Sequence, residues 1–158
     1  MNAYRGGVGT ELPRTVIVSS MASDSHTWNL VYLELLVGEL GFDVVNLGAC
    51  VPDELLESEC LSRLPTMLVL SSVNGHGYQD GLRVIQRLRS FPELRALPVV
   101  IGGKLGVDGP LTEEETARLL LAGFDAVFDD QQNNASFRRF AATLTAGAAQ
   151  LPVRVEGV

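Results

Sequence analysis

Cysteine, lysine and long apolar runs are all scarce in this chain of 158 residues. Its two cysteines, Cys50 and Cys60, form no CxxC pair and are too few for a disulfide framework, which is typical of a reduced cytoplasmic protein. Lys104 is the sole lysine and the net charge is −7, which excludes the clustered cations of a nucleic-acid-binding surface or of an anionic membrane face. Glu34 and Glu39 interrupt the longest apolar stretch, so no transmembrane segment is expected. We therefore expect a cytoplasmic protein with no nucleic-acid partner and no membrane partner.

The remaining composition, with 46% apolar and 20% charged residues, is ordinary for a globular protein. The length fits one domain with its own hydrophobic core. Residues 1–13 are rich in glycine and lack the apolar segment of a signal peptide, so we expect an N-terminal tail there. We expect the single domain to span residues 14–146 and a second tail to span residues 147–158.

Five short apolar runs have the character of strands that are buried on both faces. They are rich in β-branched residues or leucine and show no alternation between apolar and polar residues. The runs are Val16–Val18, Val44–Leu47, Met67–Leu70, Val99–Ile101 and Ala126–Phe128.

Between these runs, apolar residues recur at steps of three and four, which predicts helices. Gly41 is placed to end the first helix, and Leu56, Cys60 and Leu64 predict one apolar stripe on the second. Two further signals are a capping box at Thr112 and Glu115 and a cap at Asn134 for the last helix.

Five β-α units of about 25–30 residues each imply parallel strands joined by right-handed crossovers. We therefore predict an α/β fold with a flavodoxin-like (Rossmann-like) five-stranded parallel sheet. The expected strand order is 2-1-3-4-5, with helices on both faces.

In such a sheet the loops after strands one, three and four meet at the carboxyl edge, where ligands bind. The first loop contains Asp24-Ser25-His26. This pair can hold a metal, because the ring offers one nitrogen while the carboxylate takes the proton on the other. The second loop contains Ser71-Ser72-Val73-Asn74-Gly75 and the third contains Gly102-Gly103-Lys104.

Taken singly, each loop also has a plainer interpretation. Asp-x-His occurs in ordinary surface loops, Ser71 and Ser72 could bond nearby backbone, and Gly102-Gly103 could be only a tight turn. His76 is either a second ligand or a solvated loop histidine.

Taken together, Asp24-x-His26, Ser71-x-Val73 and Gly102-Gly103 resemble the cobalamin-binding domain family, which carries Asp-x-His-x-x-Gly, Ser-x-Leu and Gly-Gly at these loops. Residues 41–48 and 71–77 are also similar to the small cobalamin-binding subunits of the glutamate mutase (methylaspartate mutase) type. The resemblance covers roughly residues 14 to 146 and implies an isomerase component. Such a subunit holds adenosylcobalamin for a carbon-skeleton mutase acting on glutamate and 3-methylaspartate, and it needs a separate, larger catalytic subunit.

The resemblance implies roles for individual residues. His26 would replace the cofactor's dimethylbenzimidazole as the lower axial ligand of cobalt, with Asp24 on the other ring nitrogen. Ser71 would hydrogen-bond the displaced benzimidazole, Val73 would pack on it, and the two glycines Gly102-Gly103 would leave room for it. No residue of this chain is expected to act on substrate. The further residues expected to line the corrin or its nucleotide groove are Ser23, Ser25, Thr27, Ser72, Lys104, Leu105 and Gly106.

The chain departs from the family pattern at three places. Asn29 stands where the motif has its glycine, and Val73 stands where the family has leucine. After the fifth strand, Asp129-Asp130-Gln131-Gln132 replaces the glycine and hydroxyl residue that the family tends to offer. Trp28, beside Asn29, is expected to lie in the core or to face the corrin, with the core favoured.

Three other functions compete with the mutase subunit. A corrinoid methyl carrier places a helical bundle before this domain, and 13 residues are too few for one. A signalling receiver domain needs an aspartate at the end of the third strand, where this chain has Ser71-Ser72-Val73. A non-catalytic cobalamin fold that acts as a binding or regulatory module remains open.

Overall fold

Strands and helices alternate along the chain, in the order that the apolar runs predict. The computed structural model describes residues 14–129 and 134–149, the last four without their side chains. The strands are β1 (Thr15–Ser19), β2 (Asp43–Asn46), β3 (Met67–Ser72), β4 (Val99–Gly103) and β5 (Ala126–Phe128). The helices are α1 (Trp28–Glu39), α2 (Asp53–Arg63), α3 (Gly77–Ser90), α4 (Glu113–Ala122) and α5 (Asn134–Ala149), with a 3₁₀ turn at Pro92–Leu94.

The five strands form one parallel sheet in the order β2-β1-β3-β4-β5. The predicted flavodoxin-like topology is therefore confirmed. The register places Ser71 opposite Gly102 and Ser72 opposite Gly103, at the carboxyl ends of β3 and β4. The second and third candidate loops thus leave the sheet side by side.

The sheet separates two apolar cores. Successive residues of a strand point to opposite faces, so Val16, Val18 and Val69 pack against α1 and α5 while Ile17 and Leu68 belong to the core on the other face. That other core includes side chains of α2, α3 and α4. Burial on both faces explains why the strand sequences show no alternation of apolar and polar residues.

Two of the predicted helix signals are confirmed. The Thr112 hydroxyl accepts the Glu115 N–H at 3.1 Å, and the Glu115 carboxylate accepts the Thr112 N–H at 2.9 Å, which completes the capping box of α4. Gly41 adopts a φ of +93° two residues after the end of α1, as a helix-ending glycine does. Asn134 is the first residue of α5.

Two expectations about side chains are wrong. Trp28 is 83% exposed, so the favoured position in the core is wrong, because α1 buries its other face through Leu30, Leu36 and Val37. The alternative, that Trp28 faces the corrin, stays a prediction. Leu64 is 62% exposed, because α2 ends at Arg63 and Leu64 turns off the helix with a φ of +45°.

None of the helices in the described part of the chain is long and apolar enough to cross a membrane. Helix α5 continues past residue 146 to Ala149. The division into one domain and two tails stays a prediction.

Candidate functional site

Asp24 joins two of the three loops at the carboxyl edge of the sheet. Its side chain is fully buried, although it carries two acceptor oxygens. Oδ1 lies 2.7 Å from His26 Nδ1 and accepts the His26 backbone N–H at 3.0 Å. Oδ2 accepts the backbone N–H of Val73, in the loop after β3, at 2.7 Å. The predicted Asp–His pair is therefore formed, and it is anchored on the second loop.

The pKa of Asp24 lies below its ordinary value of 3.8. Burial alone would raise the pKa, but the backbone N–H groups of His26 and Val73 and the His26 side chain together lower it by more. The carboxylate is thus ionised at neutral pH and can accept a hydrogen bond from the Nδ1–H tautomer of His26. This leaves the lone pair of Nε2 free on an imidazole that is 58% exposed.

Backbone hydrogen bonds hold this loop against the segment that follows β2. The carbonyl of Asp24 accepts the N–H of Cys50 at 2.8 Å, and the Asp24 N–H donates to the carbonyl of Met21 at 3.1 Å. The hydroxyl of Ser20 donates to the carbonyl of Gly48 at 3.1 Å. The imidazole therefore projects from a loop whose position is set by the ends of three strands.

A groove runs between α1 and α5, over the carboxyl halves of β3 and β4. Its cavity volume is about 160 Å³. The structure brings Ser71, Val73, Gly102 and Gly103 together in its lining, as expected. The lining also includes Asn29, Tyr32, Leu33, Val69, Leu70, Val100, Phe128, Asn134 and Phe137.

The two glycines of β4, Gly102 and Gly103, differ in what a side chain at each position would contact. A Cβ on Gly103 would lie 2.2 Å from the Ser72 carbonyl oxygen, and its φ is +112°, so the backbone itself requires glycine there. A Cβ on Gly102 would lie 3.1 Å from the Phe128 carbonyl oxygen and would enter the groove. Backbone sterics therefore account for Gly103, and the expectation that Gly102 leaves room for a ligand stays a prediction.

Asn29 connects α1 to the end of β3. Its side-chain NH₂ donates to the Ser71 hydroxyl oxygen at 2.7 Å. Its Oδ1 is buried and has no hydrogen-bond partner among the residues that the structure describes. The residue that departs from the family motif thus contacts the hydroxyl that was expected to bind the benzimidazole.

Two of the residues predicted to line the corrin, Ser25 and Thr27, lie beside the His26 imidazole, and Lys104 lies elsewhere on the carboxyl edge of the sheet. Ser25 and Thr27 surround a shallow pocket together with His26, Trp28, Asn29 and Val73. Lys104 is exposed at the carboxyl edge, just after β4.

Four predicted residues are directed away from the groove. The hydroxyl of Ser23 donates to Asp80 of α3, and the hydroxyl of Ser72 donates to Asn74 at 3.0 Å. Leu105 is fully buried in the core on the α3 face, and Gly106 lines a separate cavity beside α3 and α4. The lining roles expected of these four residues stay predictions.

The sequence analysis did not predict that α5 lines the groove, which it does through Asn134 and Phe137. The alternation of side chains along β3 could have predicted this lining, because Val69, Ser71 and Val73 are two residues apart and point to the same face of the sheet. That face carries α1 and α5, so side chains on these helices were the natural neighbours.

The remaining polar candidates do not extend the site. His76 is exposed at the start of α3, where its N–H donates to Asn74 Oδ1 at 3.0 Å. The carboxylate of Asp129 accepts the backbone N–H of Leu111. Within residues 14–129 and 134–149, no three His, Cys, Asp or Glu side chains form a metal-binding group. A single exposed imidazole suits a metal whose other ligands belong to a bound group.

Comparison with known proteins agrees with this arrangement. The family model described as the B12 binding domain matches residues 14–135. Glutamate mutase sigma subunit 1 of Haloarcula marismortui is 32% identical over 154 residues, which are 94% of this chain and 99% of that protein.

Two solved structures share the fold. A novel cobalamin-binding protein from Desulfitobacterium hafniense DCB-2 has a TM-score of 0.68 at 20% identity, over 84% of this chain and 60% of that one. The signal receiver domain of a histidine kinase from Syntrophus aciditrophicus has a TM-score of 0.63 at 14% identity, over 91% of this chain and 96% of that one. At these identities the likeness concerns the fold alone.

Proposed function

The chain belongs to the B12-binding domain family, and from that premise we propose that it is the cobalamin-binding subunit of an adenosylcobalamin-dependent carbon-skeleton mutase. The similarity to a glutamate mutase sigma subunit supports a rearrangement of the glutamate and 3-methylaspartate type. The single observation that carries the proposal is the ionised, buried Asp24 holding an exposed His26 through Nδ1.

The residues present fit a corrinoid. The donor set is one exposed imidazole, that of His26, which would suit a cobalt ion whose other ligands belong to the corrinoid itself. The groove beside it has an apolar lining from Val73 and Phe128, and the absence of a side chain on Gly102 keeps it open. A buried amide oxygen without a partner, on Asn29, is the kind of atom that a bound ligand satisfies.

Each of these residues has a definite task in the proposed subunit. Asp24 fixes the ring orientation of His26 and raises the basicity of Nε2, which would hold the cobalt of the cofactor. Ser71 would donate its hydroxyl proton to the displaced nucleotide base, and Val73 would contact the face of that base. When bound, adenosylcobalamin supplies the radical chemistry of the rearrangement.

The catalytic partner is part of the proposal. The related protein is named as one subunit of glutamate mutase, which supports a separate, larger chain that carries the substrate site. In this division of labour, the chain holds the cofactor and its residues do not touch the substrate. A cytoplasmic location, in keeping with the two free cysteines, belongs to the same proposal.

Cobalamin binding is tested by adding hydroxocobalamin or adenosylcobalamin to the purified chain and recording the visible spectrum. We expect the spectrum to change as dimethylbenzimidazole leaves the cobalt and an imidazole replaces it. His26→Ala should abolish the change that reports imidazole ligation. Arg63→Ala, which removes an exposed Arg63–Glu59 pair on α2, is the matched control and should bind as the original chain does. An identical spectrum for His26→Ala would contradict axial ligation.

The mutase assignment is tested by mixing the chain with the large subunit of a related glutamate mutase, adenosylcobalamin and glutamate. Formation of 3-methylaspartate that requires His26 would support the assignment. A chain that binds adenosylcobalamin tightly but never supports rearrangement would contradict it. Methyl transfer from a methylated corrinoid by the same preparation would then favour the methyl-carrier alternative.

A further inference from the structure

Helix α1 presents a line of apolar residues to solvent. Trp28, Val31 and Leu35 are 83%, 42% and 65% exposed, although all three are large and apolar. Gly38 is also exposed and continues the same line along the helix. Steps of three, four and three residues put these positions on one face, in the spacing of a coiled-coil seam. We call these four residues the α1 stripe; the opposite face of α1 packs against the sheet.

Gly38 leaves a gap in the α1 stripe. It lies in the last turn of α1, where glycine lowers the stability of a helix relative to most other residues. Its backbone has no positive φ, and a Cβ there would meet no atom within 4 Å among the residues that the structure describes. The fold of the chain therefore does not require glycine at this position. A neighbouring molecule that packs closely on α1 would require it.

The α1 stripe is complementary to itself when two copies of the helix lie antiparallel. With a two-fold axis beside Leu33, Trp28 faces Gly38 of the second copy, and Val31 faces Leu35 of the second copy. The largest side chain thus meets the gap at both ends, and two aliphatic pairs fill the centre. A parallel pairing would place the two tryptophans together and the two glycines together, which leaves a void that close packing does not tolerate.

Charge and area also suit a second copy. None of the four residues is charged, and Glu39, at the end of the stripe, is already paired with Arg138 of α5 at 3.5 Å. Trp28 alone exposes roughly 200 Å², since an aromatic side chain carries about 150–250 Å². With Tyr32, which is half exposed beside it, the stripe offers roughly 500 Å² per copy. A dimer would therefore bury roughly 1,000 Å², the lower limit of specific interfaces.

We propose that the α1 stripe is a homodimer interface, in which two copies of this chain pair through antiparallel α1 helices. An interface of this size gives weak, reversible association, with a dissociation constant of about 10–100 µM. His26 precedes the stripe, so the two imidazoles lie at opposite ends of the helix pair. Dimerisation should therefore occur in the chain alone, with no corrinoid present.

Sedimentation velocity of the purified chain between about 5 and 500 µM brackets this dissociation constant. We expect the mass to rise from that of a monomer to that of a dimer across the range. The fluorescence of Trp28, the single tryptophan, should shift to shorter wavelength at the same concentrations, because its exposed ring becomes buried. A chain that stays monomeric throughout the range would overturn the dimer and would leave the stripe to a different partner.

Gly38→Gln separates dimerisation from folding. Glutamine forms helix better than glycine, so the variant should melt about 2–4 °C higher as a monomer. Because its side chain fills the gap that Trp28 needs, dimerisation should weaken at least about tenfold. Leu35→Gln should weaken it by a similar factor, since a two-fold dimer loses each contact twice. Unchanged dimerisation in Gly38→Gln would contradict the proposed packing.

Leu121→Gln is the matched control for Leu35→Gln. Leu121 is 88% exposed on α4, away from the stripe, so its replacement removes a comparable apolar surface and should leave dimerisation unchanged. Equal weakening in both variants would mean that association is unspecific, and it would overturn the assignment to α1.

Disulfide cross-linking tests the antiparallel register. The background variant is Cys50→Ser, which removes the exposed native thiol. Chains that carry Val31→Cys are mixed with chains that carry Leu35→Cys and treated with a mild disulfide-forming oxidant. The mixed disulfide should form faster than a disulfide between two identical chains, because positions 31 and 35 face each other. Cross-linking of either variant with itself at an equal or higher rate would contradict the antiparallel arrangement.

Discussion

Asp24 both positions His26 and contributes to the stability of the fold. The carboxylate accepts the N–H groups of His26 and Val73 and is fully buried, so its charge is stabilised only by the folded chain. Its folded-state pKa lies below the ordinary value of 3.8. A depressed folded-state pKa means that the stabilisation is complete above the ordinary value and disappears as the pH falls through the folded-state value.

The variant Asp24→Asn tests this linkage. At neutral pH we expect its free energy of unfolding to be about 1–3 kcal/mol below that of the original chain, because an amide cannot replace a carboxylate that accepts several N–H groups. The difference should shrink as the pH falls below the ordinary value of 3.8, because the unfolded chain then takes up a proton that the folded carboxylate does not. Urea unfolding at several pH values measures both quantities. A difference that is constant across pH would contradict the role of the charge.

The neighbouring glycines of β4 give a second prediction. Gly103→Ala forces a Cβ to within 2.2 Å of the Ser72 carbonyl oxygen at a φ of +112°, so we expect a loss of about 2–4 kcal/mol in the free energy of unfolding. Gly102→Ala meets the Phe128 carbonyl oxygen at 3.1 Å and should lose less than about 1.5 kcal/mol. Because its methyl group enters the groove, Gly102→Ala should nevertheless weaken corrinoid binding. Urea unfolding and spectral titration separate the two effects, and equal destabilisation would refute the distinction.

Sequence analysis could predict the residues of the first loop because their chemistry is local. Asp24 and His26 are two residues apart, so their pairing depends only on the conformation of one short loop. The contact between Asn29 and Ser71 links positions 42 residues apart and depends on the side chains that α1 directs toward β3. The contacts of Ser23 with Asp80 and of Leu105 with the core on the α3 face likewise depend on tertiary packing, which the loop motifs do not determine.

At the scale of elements, the helix ends are better determined by sequence than the helix faces. The capping box at Thr112 needs only a hydroxyl and a carboxylate at the right spacing. The partners of the arginines on α3, in contrast, do not follow from sequence spacing. Arg83 bonds Asp53 of α2 at 2.8 Å, and Arg87 pairs with Glu57 of the same helix. Those partners are known only once α2 and α3 lie side by side.

The α4 cap gives the prediction at this scale. Thr112→Ala removes the acceptor for the Glu115 N–H and should lower the free energy of unfolding by about 1 kcal/mol. Glu115→Gln keeps an oxygen for the Thr112 N–H and should change it by less than about 0.5 kcal/mol. Denaturant unfolding at constant pH compares the two. A larger loss for Glu115→Gln than for Thr112→Ala would contradict the capping interpretation.

At the scale of the whole molecule, the sequence determined the topology almost completely. Buried parallel strands have a characteristic composition, and right-handed crossovers leave few arrangements of five β-α units. The groove was harder to predict, because it is bounded by the first and the last helix of the described chain, α1 and α5. Its shape emerges only when the sheet brings the two ends of the chain together on one face.

Filling that groove should stabilise the entire fold. A corrinoid present at a hundred times its dissociation constant should raise the free energy of unfolding by about 2.7 kcal/mol, provided that it binds only the folded state. For a domain of this size the melting temperature should rise by about 5–10 °C. Thermal denaturation with and without adenosylcobalamin measures the shift. His26→Ala should reduce the shift, and an equal shift in that variant would mean that the imidazole adds nothing to affinity.

The backbone N–H of Val73 donates to the same carboxylate, Asp24, that holds the His26 imidazole. Exchange of this amide proton therefore depends on the position of the Asp–His pair. Val73 and Asp24 are 49 positions apart, yet the Val73 amide is protected only while the carboxylate that holds His26 stays in place. The rate at which that amide exchanges with deuterium therefore reports how often the Asp–His unit opens. Slower exchange on addition of a corrinoid would record the tightening of the lower ligand without any signal from the metal itself.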